Sequence, residues 1–131
     1  MAELATYPGY TSDSISPAGV VMVDFFDDGT LAMSWDMTGL APNCDNCGIH
    51  IHAGISCDTH EEVKGHYWND EVQPKDPWVT SDRAVYFTRE SGTSSGMFYT
   101  FSGYTFEENV GHAVVVHDEE GIRIGCGLLK L

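Results

Sequence analysis

Positive charge is what this sequence has least of. Six lysines and arginines stand against 20 aspartates and glutamates, a net charge of −14 with histidine neutral. Nucleic acids and anionic membranes select cationic surfaces, so neither is an expected partner. The acids are scattered in ones, twos and threes, as on a solvated surface. Long apolar runs are missing as well: nothing approaches the roughly 18 consecutive apolar residues of a bilayer-spanning helix. Met1 to Asp13 lacks the basic start and apolar middle of a signal peptide. The expectation is a cytosolic or plastidic chain, or a mature or excised piece of a longer precursor.

Helical periodicity of ordinary length is also absent. Hydrophobicity alternates with a period near 2, broken by glycine or Asx every eight to twelve residues or so, which reads as an all-β chain. Gly19 to Phe26 is a strand, Asp27-Asp28-Gly29 a turn, and Thr30 to Met37 the return strand with Leu31, Met33, Trp35 and Met37 on its apolar face. Further strands are expected over Gly48 to Ala53, Val79 to Thr88, Met97 to Ser102, Gly111 to Asp118 and Ile122 to Leu129. Seven or eight short strands predict a β-sandwich or flattened barrel. Residues 1–18 read as an N-terminal extension and 19–131 as one domain. The irregular segment 54–78 exceeds the usual loop length and marks a functional or disulfide-tethered loop.

Cysteine is scarce but even in number: Cys44, Cys47, Cys57 and Cys126. In a small domain this fits disulfides, hence a secreted protein or one in an oxidising organellar lumen. Three pairings are open. In a reducing compartment the same residues would be thiols or metal ligands.

Histidine carries the chemistry. On a strand, His50 and His52 point to one face with Cβ atoms roughly 6.6 Å apart. Two imidazoles at that spacing can converge on one metal with bonds of about 2 Å. His117 closes the apolar run Ala113-Val114-Val115-Val116, where backbone is rigid. His112 lies on the opposite face by parity and reads as structural or exposed. His66 sits in the long loop, flanked by aromatics that could anchor it, and His60 lies in a solvated run.

Taken in order, Gly48-Ile49-His50-Ile51-His52, Cys57, Gly65-His66-Tyr67-Trp68-Asn69, Gly111 to His117, and Arg123-Ile124-Gly125-Cys126-Gly127 resemble the Cu/Zn superoxide dismutase pattern over roughly residues 19 to 131. The resemblance implies an eight-stranded Greek-key β-barrel or sandwich without long helices. It implies copper ligands His50, His52, His66 and His117, and a disulfide between Cys57 and Cys126. Arg123 matches the guanidinium that attracts the superoxide anion, and His66 the ligand that releases copper(I) and carries a proton.

The departures matter as much. No histidine lies between His66 and His112, so the family's zinc site is not expected. Only Asp118 to Ile122 separate His117 from Arg123, where the family has a long charged loop. Both losses resemble the copper-only dismutases and their repeat-domain relatives. The second nitrogen of His66 then needs another partner, and Asp70, Glu71 and Asp76 are the candidates. Cys44-Asp45-Asn46-Cys47 falls outside the pattern. A Cys₂His₂ zinc site with His50 and His52 is disfavoured by the tight spacing, and a disulfide within the pair or with Cys57 and Cys126 is expected instead. The expected function is copper-dependent dismutation of superoxide. The rival readings are a non-catalytic scaffold using Tyr7, Tyr10, Tyr67, Trp68 and Trp78 as exposed partner-binding aromatics, and copper storage or delivery.

Overall fold

The computed structural model describes residues 1–79 and 83–131. Among them nine strands form two antiparallel sheets. The strands are β1 (Ala2–Glu3), β2 (Ala5–Thr6), β3 (Ala18–Phe25), β4 (Leu31–Thr38), β5 (Cys47–His52), β6 (Val85–Tyr86), β7 (Ser94–Thr100), β8 (Ala113–His117) and β9 (Arg123–Leu128). One sheet runs β1-β3-β4-β7, the other β2-β9-β8-β5-β6. The chain is nearly all β, as expected, and the two sheets are those of a sandwich rather than a closed barrel. The strand expected over 79–88 is reduced to Val85–Tyr86, with residues 80–82 of that span outside the described ones.

Binary patterning builds the first sheet. Leu31, Met33, Trp35 and Met37 of β4 are buried, and across the register Val21 and Val23 of β3 and Phe98 of β7 join them. Each fully buried side chain of this size contributes roughly 1.5–3 kcal/mol. The opposite face carries Met22, Met97 and Tyr99, each about half exposed. In the second sheet β5 and β8 are buried on both faces. Ile49, Ile51, Val114 and Val116 enter the core between the sheets, while Ala113 and Val115 belong to a second cluster with Tyr7, Val63 and Cys126.

The first residues are not an appendage. Ala2 and Glu3 pair with β3, Ala5 and Thr6 pair with β9, and Leu4 is buried where the chain passes from one sheet to the other. Two-residue strands carry no period, which is why 1–18 reads from sequence as an extension. Two four-residue helices also escape a periodicity argument: α1 (His60–Val63) and α2 (Phe106–Asn109). Their signal is the Thr-x-x-Glu box at Thr59–Glu62 and Thr105–Glu108, where each threonine caps the backbone of the glutamate.

Candidate metal centre

Strand register brings the histidines together. β5 pairs with β8 so that His50 lies opposite Val115 and His52 opposite Ala113. His117, two residues beyond Val115, falls on the same outward face beside His50. A register shift at Val116/His117 then sets His117 against Arg123 of β9. His50 Nδ1 and His117 Nε2 stand 3.2 Å apart, and one nitrogen from each of His50, His52 and His117 falls within 4.8 Å of the others. Gly48 makes this possible: a Cβ there would lie 2.7 Å from His50 Cε1 and 3.3 Å from His117 Cδ2.

His66 reaches the cluster from the long loop. It forms an isolated bridge with His52, and its ring centroid lies 4.5 Å from that of His50 and 5.1 Å from that of His52. The loop is anchored by its aromatics. Tyr67 is sandwiched between Tyr104 at 4.3 Å and His112 at 3.9 Å, and the Trp78 indole donates to the Tyr67 carbonyl. The aromatics read from sequence as exposed are therefore committed to packing. Trp78 is fully buried, Tyr7 is buried, and Tyr10, Tyr67 and Trp68 pack half-buried against the core. His112 Nδ1 donates to the Ala53 carbonyl, outside the cluster.

The outer nitrogens fix which inner ones point at the centre. His52 Nδ1 bonds the Lys64 carbonyl at 2.8 Å, His117 Nδ1 the Gly121 carbonyl at 3.1 Å, and His66 Nδ1 the Asp76 carboxylate at 2.6 Å. Of the three acids left open by the sequence, Asp76 is thus the partner of His66. A carbonyl can only accept, so Nδ1 of His52 and of His117 carries the proton and Nε2 is a lone-pair donor. His50 turns the other way round, with Nδ1 toward His117 Nε2. His52 Nε2 is buried without a hydrogen-bond partner among the described residues. Such an orphaned nitrogen is costly unless something binds it.

Electrostatics points the same way. Burial is the main cause that lowers His50 to about 2, His52 to about 3 and His117 to about 4, with the neighbouring histidines and, for His52 and His117, the Arg123 guanidinium adding to it. The three imidazoles are neutral at physiological pH, the form that ligates metal. An all-imidazole donor set suits copper, zinc, iron and nickel alike, with no thiolate or carboxylate to favour a softer or harder ion.

A cavity of about 590 Å³ opens onto His50, His66 and His117, and its rim is acidic: Asp118, Glu119 and Glu120. Arg123 instead lines a neighbouring cavity of about 360 Å³ with Tyr7, Tyr10 and His60. Cys57 and Cys126 form a disulfide that ties the loop to β9, and Cys44 and Cys47 form the second. That pairing removes the cysteines of the Cys₂His₂ alternative. Two disulfides are consistent with an oxidising location. Sequence reasoning missed Tyr86, fully buried on β6, whose hydroxyl donates to the His117 carbonyl at 2.5 Å and pins the end of β8.

No family model matches the chain, and no curated protein matches it in sequence. Solved structures do match over nearly its whole length. The copper(II) form of superoxide dismutase 5 from Candida albicans aligns with a TM-score of 0.64 at 15% identity, covering 100% of this chain and 93% of that one. The Cu/Zn superoxide dismutase of Brucella abortus aligns at 0.62 and 16%, covering 98% and 97%. The clock protein EA4 aligns at 0.64 and 18%, covering 97% and 90%. At these identities the likeness speaks for architecture, and the architecture is that of the Cu/Zn superoxide dismutases.

Proposed function

We propose that this protein is a copper-dependent superoxide dismutase in which His50, His52, His66 and His117 hold the metal and no zinc is used. The observation that carries the reading is the convergence of the His50, His52 and His117 imidazoles, one nitrogen of each within 4.8 Å of the others, with the His66 ring packed against them and its Nδ1 held by Asp76. Bound there, copper would supply a one-electron couple able to oxidise one superoxide and reduce a second, giving dioxygen and hydrogen peroxide.

The chain supplies the rest. His50, His52 and His117 sit on paired strands and keep their geometry, whereas His66, 24% exposed and on a loop, has room to shift. Asp76 holds Nδ1 of His66, so the proton that this imidazole takes up and returns is carried at Nε2. In the family that this chain resembles, zinc occupies the far side of the bridging histidine. Here a carboxylate does that work without a second metal. Arg123 stands near enough to His52 and His117 to bias both, and its positive charge attracts the anion. It does so against a net charge of −14 and the acidic rim. Local field has to outweigh the global one. The two disulfides fit secretion or an oxidising organellar lumen.

The test is metal analysis beside a superoxide-consumption assay. Protein grown with copper should hold about one copper per chain and essentially no zinc. Arg123→Ala should keep the copper and lose about tenfold in rate, as removal of one fixed charge from an anion's path does. Stoichiometric zinc with copper absent, or copper-replete protein no faster than buffer, overturns the reading.

A further inference from the structure

We propose that Tyr7 is a positioning residue for Arg123, fixing the guanidinium beside the histidine cluster through a hydroxyl that is itself held by His60. The inference rests on the copper-dismutase reading for its consequence, and on geometry alone for its structure. Arg123 Nη1 donates to Tyr7 Oη at 3.0 Å, and Tyr7 Oη lies 2.6 Å from His60 Nδ1. Guanidinium can only donate. The phenol therefore accepts from Arg123, which leaves its own proton available to His60 Nδ1. The guanidinium carbon also stands 5.8 Å from the Tyr7 ring centroid, and the imidazole of His60 meets that ring edge-on at 5.8 Å.

Tyr7 is itself immobilised. The pairing of Ala5 with Cys126 and Thr6 with Gly125 runs on into a bond from the Tyr7 N–H to the Ile124 carbonyl, one residue from Arg123. The ring is 5% exposed and packs with Val63, Ala113, Val115 and Cys126. His60 opens α1, in the loop that the Cys57–Cys126 disulfide tethers. Three segments far apart in sequence thus meet at one phenolic oxygen: the N-terminal strand, the metal-site loop and the last hairpin. An arginine has many rotamers to lose, and a fixed acceptor selects one of them. The tight Asp118–Ile122 turn leaves no long loop to confine Arg123, so the confinement has to come from elsewhere, and Tyr7 is where the structure provides it.

Tyr7→Phe removes the hydroxyl and keeps the packed ring. Copper content and the denaturation midpoint should stay near wild type, while superoxide consumption falls about fivefold, less than the roughly tenfold expected for Arg123→Ala, because the charge remains but is no longer held in place. In an Arg123→Ala background the same change should cost nothing further, the coupling that a purely structural role would not produce. His60→Ala should act in the same direction and less. The second readout needs no turnover. In protein without added metal, and in the diamagnetic copper(I) form, the Arg123 Nε–H NMR signal should be ordered in wild type and should gain side-chain mobility in Tyr7→Phe. Unchanged Arg123 order in the variant, additive costs in the double variant, or a rate that rises when the hydroxyl is removed overturns the proposal. A wild type inert toward superoxide overturns the dismutase reading instead, and leaves the NMR comparison to judge the positioning.

Discussion

The two sheets solve the same burial problem differently. In the four-stranded sheet one face meets the core and the other meets water, so β4 alternates buried Leu31, Met33, Trp35 and Met37 with smaller or polar residues. In the five-stranded sheet β5 and β8 are buried on both sides, because the long loop, the Cys57–Cys126 bridge and Tyr7 cover the outer face. The first sheet is the platform and the second holds the histidine cluster. Covering a sheet twice lets it bury imidazoles deeply enough to keep them neutral. It also makes that sheet dependent on distant segments.

Substitutions in each sheet should separate these roles. His52→Ala is expected to abolish copper binding and activity while the fold survives, since the orphaned nitrogen goes with the side chain. Met33→Ala, at a fully buried platform position, should do the reverse: about 2–5 kcal/mol of stability lost, copper retained. Metal analysis beside urea denaturation measures both, and a His52 variant that keeps full copper breaks the division. Asp76→Asn comes next. It keeps the shape but weakens the hold on His66 Nδ1, and should cost roughly 10–100-fold in copper affinity, read by competition with a chelator of known strength.

Acid should act on one sheet only. Unfolded histidines titrate near about 6.5, whereas burial lowers His50, His52 and His117 to about 2, 3 and 4. Between those values the unfolded chain binds more protons, so stability of the metal-free protein falls as pH drops below about 6.5. Each histidine adds a slope of up to about 1.4 kcal/mol per pH unit. Denaturation midpoints at pH 6.5 and 5.5 measure it, and the slope should shrink in His50→Ala. The smallest effect is expected at the rim. Glu120→Gln should raise superoxide consumption by about twofold at low salt and leave it unchanged at high salt, because exposed charge is screened beyond about 8–10 Å.

How far the sequence could be read follows the same division. The alternation in Leu31 to Met37 is legible because water on one face enforces it. His50 and His52 are legible because i and i+2 share a side on any strand, and His117 because a valine run ends there. Asp76 could not be chosen over Asp70 and Glu71, since a loop without a period gives no directions. Trp78 reads as a surface aromatic for the same reason, yet it is fully buried and bonded to the Tyr67 carbonyl. The contact between Tyr7 and Arg123 spans 116 residues. Only the register of a two-residue strand sets it, and a strand that short leaves no mark in the pattern.

The half-exposed band on the platform has a colloidal consequence. Met22, Phe26, Met97 and Tyr99 are 46–51% exposed, and mutual repulsion between strongly anionic molecules opposes the meeting of two copies there. That repulsion vanishes near pH 4.4, where the net charge passes through zero. Solubility should therefore reach its minimum in mild acid, with flocculation led by the sheet that carries no part of the histidine cluster.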